Sequence, residues 1–262
     1  MPRFAANLST LYPEYALVER AAAAARDGFA AVEVQSPYAV DAAELRRALD
    51  DARVQLVLMN APQGDYDAGE RGLAALPGRE KAFEDSIDRA LDYARTVGAP
   101  RLHVMAGRPP AECAADECLR VYLRNLAYAC DTLRPHGITV TIEPINTLDM
   151  PGYYLTRQQQ GADVIAALHK ANLSLQMDFY HLQIMEGDLA RRLERFFPLV
   201  AHVQIAGVPD RHEPDTGEVN YPYLFRLLDR LGYAGWVGCE YRPAGGAAPG
   251  ATSAGLGWLR RV

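Results

Sequence analysis

Eight short runs with strand character recur along the chain, and the stretches between them carry helical periodicity. The runs are Arg3–Leu8, Ala30–Gln35, Val54–Asn60, Arg101–Gly107, Thr139–Asn146, Leu173–Asp178, Ala201–Ala206 and Trp236–Tyr241. Helices are expected over Glu14–Asp27, Asp41–Ala52, Arg79–Val97, Asp116–Arg134, Thr156–Ala171, Asp188–Phe197 and Tyr221–Leu231, with Ser253–Arg260 closing the chain. Punctuation agrees. Gly28, Gly98, Gly137 and Gly232 each follow a helical stretch, where a left-handed C-cap asks for glycine. Asn220 stands before Tyr221-Pro222 as an N-cap with proline in the first turn. Strands alternating with helices predict a parallel sheet covered by helices. Eight such units without a long linker predict a single α/β domain over residues 1–262, a (β/α)8 TIM barrel. An open doubly wound sheet is the alternative, but no G-x-G-x-x-G follows the first strand, which removes its usual dinucleotide-binding version.

One strand tests this reading. A strand buried on both faces should be apolar throughout, yet TVTIEPIN, residues 139–146, points Thr139, Thr141 and Glu143 to one side. A closed barrel explains it. Outward residues meet the helices, and inward residues can turn polar near the C-terminal mouth, where barrel active sites sit. Four successive strands fit. Strand five sends Val140 and Ile142 outward; strand six Leu173, Leu175 and Met177; strand seven Val203 and Ile205; strand eight Val237 and Cys239. Inward lie Thr141 and Glu143, then Ser174, Gln176 and Asp178, then His202 and Gln204, then Gly238 and Glu240. Glu143, Asp178, Gln204 and Glu240 are thus expected to converge at the mouth. Carboxylates that close raise one another's pKa unless a cation sits among them. Four oxygen donors favour Mg2+ or Mn2+ over Zn2+. Taken singly, each residue has a blander reading: an N-cap, a satisfied amide, half of an ion pair.

Other polar residues point the same way. Asn7, Glu33, Asn60 and His103 have inward parity on strands one to four, and His181 follows Asp178 closely enough to turn back over the mouth. Arg211, in AGVPDRHEP after strand seven, is the candidate to hold a substrate carboxylate bidentately. Its alternative is a surface ion pair with Glu213 or Asp215. The biased segment PAGGAAPGATSAG, residues 243–255, follows strand eight and reads as a phosphate site or as a flexible loop.

Composition bounds the function. The chain is 49% hydrophobic with net charge −6, so it can bury a full core and lacks the basic field of a nucleic-acid binder. No apolar run is long enough for a membrane span, and MPRFAANLS has no h-region, so neither a membrane partner nor a signal peptide is expected. The cysteines, Cys113, Cys118, Cys130 and Cys239, form no C-x-x-C pair, which predicts a reduced, cytoplasmic protein. Lys81 and Lys170 are the only lysines, both in helical stretches, which argues against Schiff-base chemistry. The Arg-rich stretch Leu189–Arg195 suits solvent or a homo-oligomer interface equally.

Long strings then carry a family resemblance over nearly the whole chain: RFAANLS, GDYDAGERGLAALPGRE, IEPIN, HVQIAGVPDRHEPDTGEVNY and GWVGCEY. The chain resembles the hydroxypyruvate isomerase family, a branch of the xylose-isomerase-like barrels. That resemblance implies that Glu143 and Glu240 are proton donor and acceptor, and that Glu143, Asp178, Gln204 and Glu240 surround a divalent metal. It implies a small hydroxy-oxo acid as substrate, for which His181, Arg211, Asn60 and Asn7, read above from parity and loop position, are the candidate binding residues. IEPIN followed by DMPGYYLT looks like hydroxypyruvate isomerase. MPRFAANLS, HVMAG and HVQIAGVPDRHEPD look closer to the 2-oxo-tetronate isomerases, which act on a four-carbon acid. A metal-dependent ketose 3-epimerase uses the same chemistry on a substrate without a carboxylate. A phosphodiesterase acting at abasic DNA would want a basic groove and more inward histidines than this chain supplies. A non-catalytic binding barrel would not need the carboxylate set.

Overall fold

The computed structural model of the protein describes residues 1–261. Eight parallel strands close into a barrel in chain order: β1 (Arg3–Asn7), β2 (Ala31–Val34), β3 (Gln55–Asn60), β4 (Arg101–His103), β5 (Thr139–Ile142), β6 (Leu173–Asp178), β7 (Val200–Ile205) and β8 (Trp236–Cys239). Pairing of β1 with β8 completes the ring, with Ala5 beside Gly238. Helices follow the strands: α1 (Leu17–Arg26), α2 (Ala42–Ala52), α3 (Glu80–Val97), α4 (Ala115–Leu133), α5 (Gln158–Leu168), α6 (Phe179–Met185), α7 (Leu189–Phe196), α8 (Tyr221–Arg230) and α9 (Ala251–Gly255).

Sequence chemistry sets these boundaries. Gly28, Gly98, Gly137 and Gly232 all hold positive φ just past a helix. Asn220 caps α8 by accepting the Tyr223 N–H, and Asp41 caps α2 by accepting the Glu44 N–H. The outward residues expected on β5 to β8, from Val140 and Ile142 to Val237 and Cys239, are all buried in the shell between barrel and helices. Inside, the lower barrel is filled by Ala5, Ala31 and Val57, with Trp236 against them. Small side chains there leave the polar inward residues for the upper layers.

Three expectations are corrected. The runs Arg101–Gly107 and Thr139–Asn146 leave the ladder at His103 and Ile142, and their remainders form mouth loops. A helix not read from sequence, α6, starts directly on the last residue of β6. The closing helix is α9 followed by a 3-10 turn over Leu256–Arg260. Cys113 and Cys118 bring their sulfurs together at the start of α4, while Cys130 and Cys239 are free and buried. Among the described residues no helix is long and apolar enough to cross a membrane.

Candidate active site

The strand ends deliver one polar side chain after another to the C-terminal rim. Glu143 is the first residue beyond β5, and Asp178 is the last of β6. Gln204 lies beside Asp178 and Gly238 in the ladder. Glu240 follows β8 directly, and its N–H donates to the Ile205 carbonyl. Asp178 also caps α6, its Oδ1 accepting the Tyr180 N–H at 2.8 Å. That one role fixes where its other oxygen points.

A buried hydrogen-bond network ties these groups together. The Gln176 amide donates to Glu143 Oε2 at 3.2 Å and to Gln204 Oε1 at 2.6 Å, and its own oxygen accepts the Thr141 hydroxyl. Gln204 donates to Glu240 Oε2 at 2.6 Å and to Glu33 Oε1 at 2.7 Å. Glu33 also receives Asn7 Nδ2 at 2.9 Å and lies 2.6 Å from His202 Nε2. Glu33 and His202 are nearly inaccessible, so this pair lies below the mouth.

Electrostatics are unbalanced. Burial pushes the Glu143 carboxyl well above its usual range, and Glu240 and Asp178 push it further. Burial raises Glu240 to about 8 against the opposing pull of Arg211. Asp178 is raised to about 6, again by burial and again with Arg211 opposing. The Arg211 guanidinium contacts Glu240 Oε1 and lies 3.7 Å from Asp178 Oδ2 and 3.5 Å from Asp149, stacked over the Tyr180 ring. It pairs with neither Glu213 nor Asp215. Asp215 meets Arg261, and Glu213 accepts the Ala244 N–H. That last contact places a carboxylate against the backbone of the 243–255 segment, which disfavours an anion there.

Among the described residues, two carboxylate oxygens of this rim are buried without a hydrogen-bond partner: Glu143 Oε1 and Asp178 Oδ2. Each faces His181 Nε2, at 3.9 and 3.7 Å. One atom each from Glu143, Asp178 and His181 falls within 4.8 Å of the others. Unpaired buried carboxylate oxygens are costly unless a cation satisfies them, so the donor set fits a divalent ion. His181 has a different part. Asn146 Oδ1 accepts the Leu148 and Asp149 N–H groups, so its amide nitrogen faces His181 Nδ1 at 2.7 Å. Nδ1 is therefore an acceptor. Burial, with Arg211 adding, drives the ring's pKa well below its usual value, and the proton of the neutral ring sits on Nε2, aimed at the carboxylates.

A cavity of about 800 Å³ opens over this rim, and its wall includes Asn60, His103, Glu143, His181, Arg211 and Glu240. Burial lowers His103 to about 3, so it is neutral there. Three of the sequence candidates are absent from the wall. Asp178 and Gln204 lie beneath it. Asn7, expected to touch substrate, instead donates to Glu33 and Glu240, the latter at 3.3 Å. Asn146 and Gln176 were not singled out as functional by sequence, although both have visible signals: one closes IEPIN, the other alternates with Asp178 on β6.

A closed parallel barrel with a carboxylate-rich C-terminal mouth defines a class of enzyme, and comparison with known proteins narrows it. The family model of the xylose isomerase-like TIM barrel matches residues 21–262, and the chain belongs to that family. It is 56% identical to 2-oxo-tetronate isomerase from Cupriavidus necator, over 99% of this chain and 98% of that one. It is 41% identical to hydroxypyruvate isomerase of Escherichia coli, over 99% and 98%. Among solved structures, a Brucella melitensis protein described as an AP endonuclease of family 2 superposes with a TM-score of 0.96 at 47% identity, covering 100% of this chain and 99% of that one. Curated relatives of this similarity are isomerases, and the chain is an isomerase of the family.

Proposed function

We propose that the chain interconverts small hydroxy-oxo acids, taking hydroxypyruvate to tartronate semialdehyde, with the four-carbon 2-oxo-tetronate reaction as the alternative. The observation that carries this reading is the pair Glu143 and Glu240. Both line one cavity, and burial raises both carboxyls above the usual carboxylate range, Glu240 to about 8. The names of the relatives supply the substrate class.

In hydroxypyruvate the hard step is loss of a proton from C3, beside the C2 carbonyl. One glutamate takes that proton and leaves an enediolate across C2 and C3. The other glutamate delivers a proton to C2, and the hydroxyl proton passes from the C3 oxygen to the C2 oxygen. The product carries an aldehyde at C3 and a hydroxyl at C2, with every atom conserved. His181, its proton held on Nε2 by Asn146, donates to the oxygen on which negative charge develops. Arg211 holds Glu240 in place and balances the charge left on it. Glu143 and Asp178 offer unsatisfied oxygens for a divalent cation, whereas the Gln204 amide oxygen, expected as a ligand, accepts from Gln176; carboxylate oxygens suit Mg2+ or Mn2+. Held by these residues, such an ion would act as a Lewis acid toward the substrate and make the C3 proton easier to remove.

A panel of hydroxypyruvate, 2-oxo-tetronates, free ketoses and an abasic-site DNA duplex, each with and without chelator, tests the reading. Chelator-sensitive turnover of an acid is expected. Turnover confined to a ketose would replace it with the epimerase reading, and cleavage confined to the duplex with the nuclease reading.

A further inference from the structure

An acid isomerase needs a cation for the substrate's carboxylate, and Arg211 is already engaged. Its Nη2 meets Glu240 and Asp178, its Nη1 faces Asp149, and its Nε approaches the Glu240 carbonyl. The cavity wall holds four other arginines: Arg20, Arg71, Arg89 and Arg242. A guanidinium grips a carboxylate best through two parallel N–H groups, and the Nε–Nη2 edge is one such fork.

Arg20 has lost that edge, because its Nε donates to the Tyr15 carbonyl and its Nη1 to the Leu8 carbonyl. Arg89 is exposed, and its Nη2 reaches the Tyr38 carbonyl at 3.3 Å. Arg242 is exposed with no side-chain hydrogen bond among the described residues, so ordering it would cost rotamer entropy. Arg71 differs from all three. Both of its hydrogen bonds leave from Nη1, to the Tyr66 carbonyl at 2.9 Å and the Glu70 carbonyl at 2.7 Å. Among the described residues nothing accepts from Nε or Nη2. The guanidinium lies 3.5 Å from the centre of the Tyr66 ring, so its plane is set.

The loop that carries it is braced as well. Glu70, the adjacent acid, is taken by Arg79 and by the Asp65 N–H, and does not compete for Arg71. Gly72 bridges to Ala106 beyond β4, with positive φ and no room for a Cβ against the Met105 carbonyl. Asn125 of α4 holds the Ala74 carbonyl. We propose that Arg71, on the loop after β3, is the residue that binds the substrate's carboxylate and selects acids over free ketoses. The inference rests on the acid-isomerase reading. It gives the segment GDYDAGERGLAALPGRE a purpose that the proton chemistry leaves unassigned.

The test uses Mn2+-loaded protein with hydroxypyruvate, and calorimetry with glycolate and its uncharged analogue glycolamide. Arg71→Ala should raise KM about 10–100-fold, the scale of lost charge-assisted hydrogen bonds, and change kcat by no more than about 3-fold. It should weaken glycolate binding and leave glycolamide binding as in the parent. Arg71→Lys should recover part of the loss, and Arg242→Ala should behave as the parent. A parental KM in Arg71→Ala would overturn the assignment. So would equal weakening of glycolate and glycolamide, which would mean a disturbed loop. A parent protein that turns over no acid would instead remove the acid-isomerase reading, and this inference with it.

Discussion

At the scale of single residues, the site is a surplus of buried carboxyl groups whose protons are held by desolvation. The sign of the resulting pH dependence follows. Glu240 titrates near 4.5 when unfolded and near 8 when folded without a cation. The folded state therefore binds the extra proton. The stability this confers is complete below the unfolded pKa and is lost as pH rises through the folded one. Chelated protein is expected to melt at lower temperature at about pH 9 than at about pH 6.5, and Glu240→Gln should flatten the difference. Scanning calorimetry of both proteins at the two pH values checks this. Added Mn2+ should raise the melting temperature more at the higher pH, because cation and protons compete for the same oxygens. His181 gives a second residue-scale prediction. Asn146→Leu removes the side-chain donor facing Nδ1 and leaves only the longer contact from the Asn146 backbone N–H at 3.4 Å, so 15N NMR should show the ring proton partly redistributed between its nitrogens, with turnover of hydroxypyruvate reduced about 10-fold or more. An unchanged tautomer in that variant would release Asn146 from its role.

At the scale of elements, strand parity carried most of the site. Glu143, Asp178, Gln204 and Glu240 were legible because outward neighbours such as Ile142, Met177, Ile205 and Cys239 are apolar and alternate with them. Parity says which face a side chain takes; it is silent on what that side chain touches. Asn7 and Asn60 share inward parity, yet Asn60 reaches the cavity and Asn7 is bound to Glu33 beneath it. Arg211 was legible as a site residue from its loop, but its tie to Glu240 depends on the ring closing. The helix α6 escaped because its cap, Asp178, is also the last strand residue, so no turn signal separates the two. Gly238 is a further consequence of closure. Its inward face lies against the Glu33 carboxylate, with no space for a Cβ. Gly238→Ala should displace Glu33 from Gln204, Asn7 and His202, destabilise the protein by about 1–3 kcal/mol as overpacking does, and depress turnover. Urea unfolding measures the first effect; a midpoint equal to the parent's would show that Glu33 can move freely.

At the scale of the whole molecule, the architecture separates two tasks. The lower barrel, packed by Ala5, Ala31 and Val57, and the shell of helices supply stability. The upper barrel accepts unsatisfied carboxylates that cost stability, which in the proposed function serve as a place for a cation and as two proton-transfer groups. The fold was legible from eight alternating units. Substrate identity was not, because it depends on which cations around the cavity remain unpaired, and pairing is set by contacts among loops far apart in the chain. The most direct test of the central claim compares hydroxypyruvate and 2-oxo-tetronate turnover by Mn2+-loaded parent, Glu143→Gln and Glu240→Gln proteins. A turning-over parent is expected, with a loss of about 10²–10⁴-fold in kcat in each variant and folding intact. Near-parental kcat in either variant would contradict it.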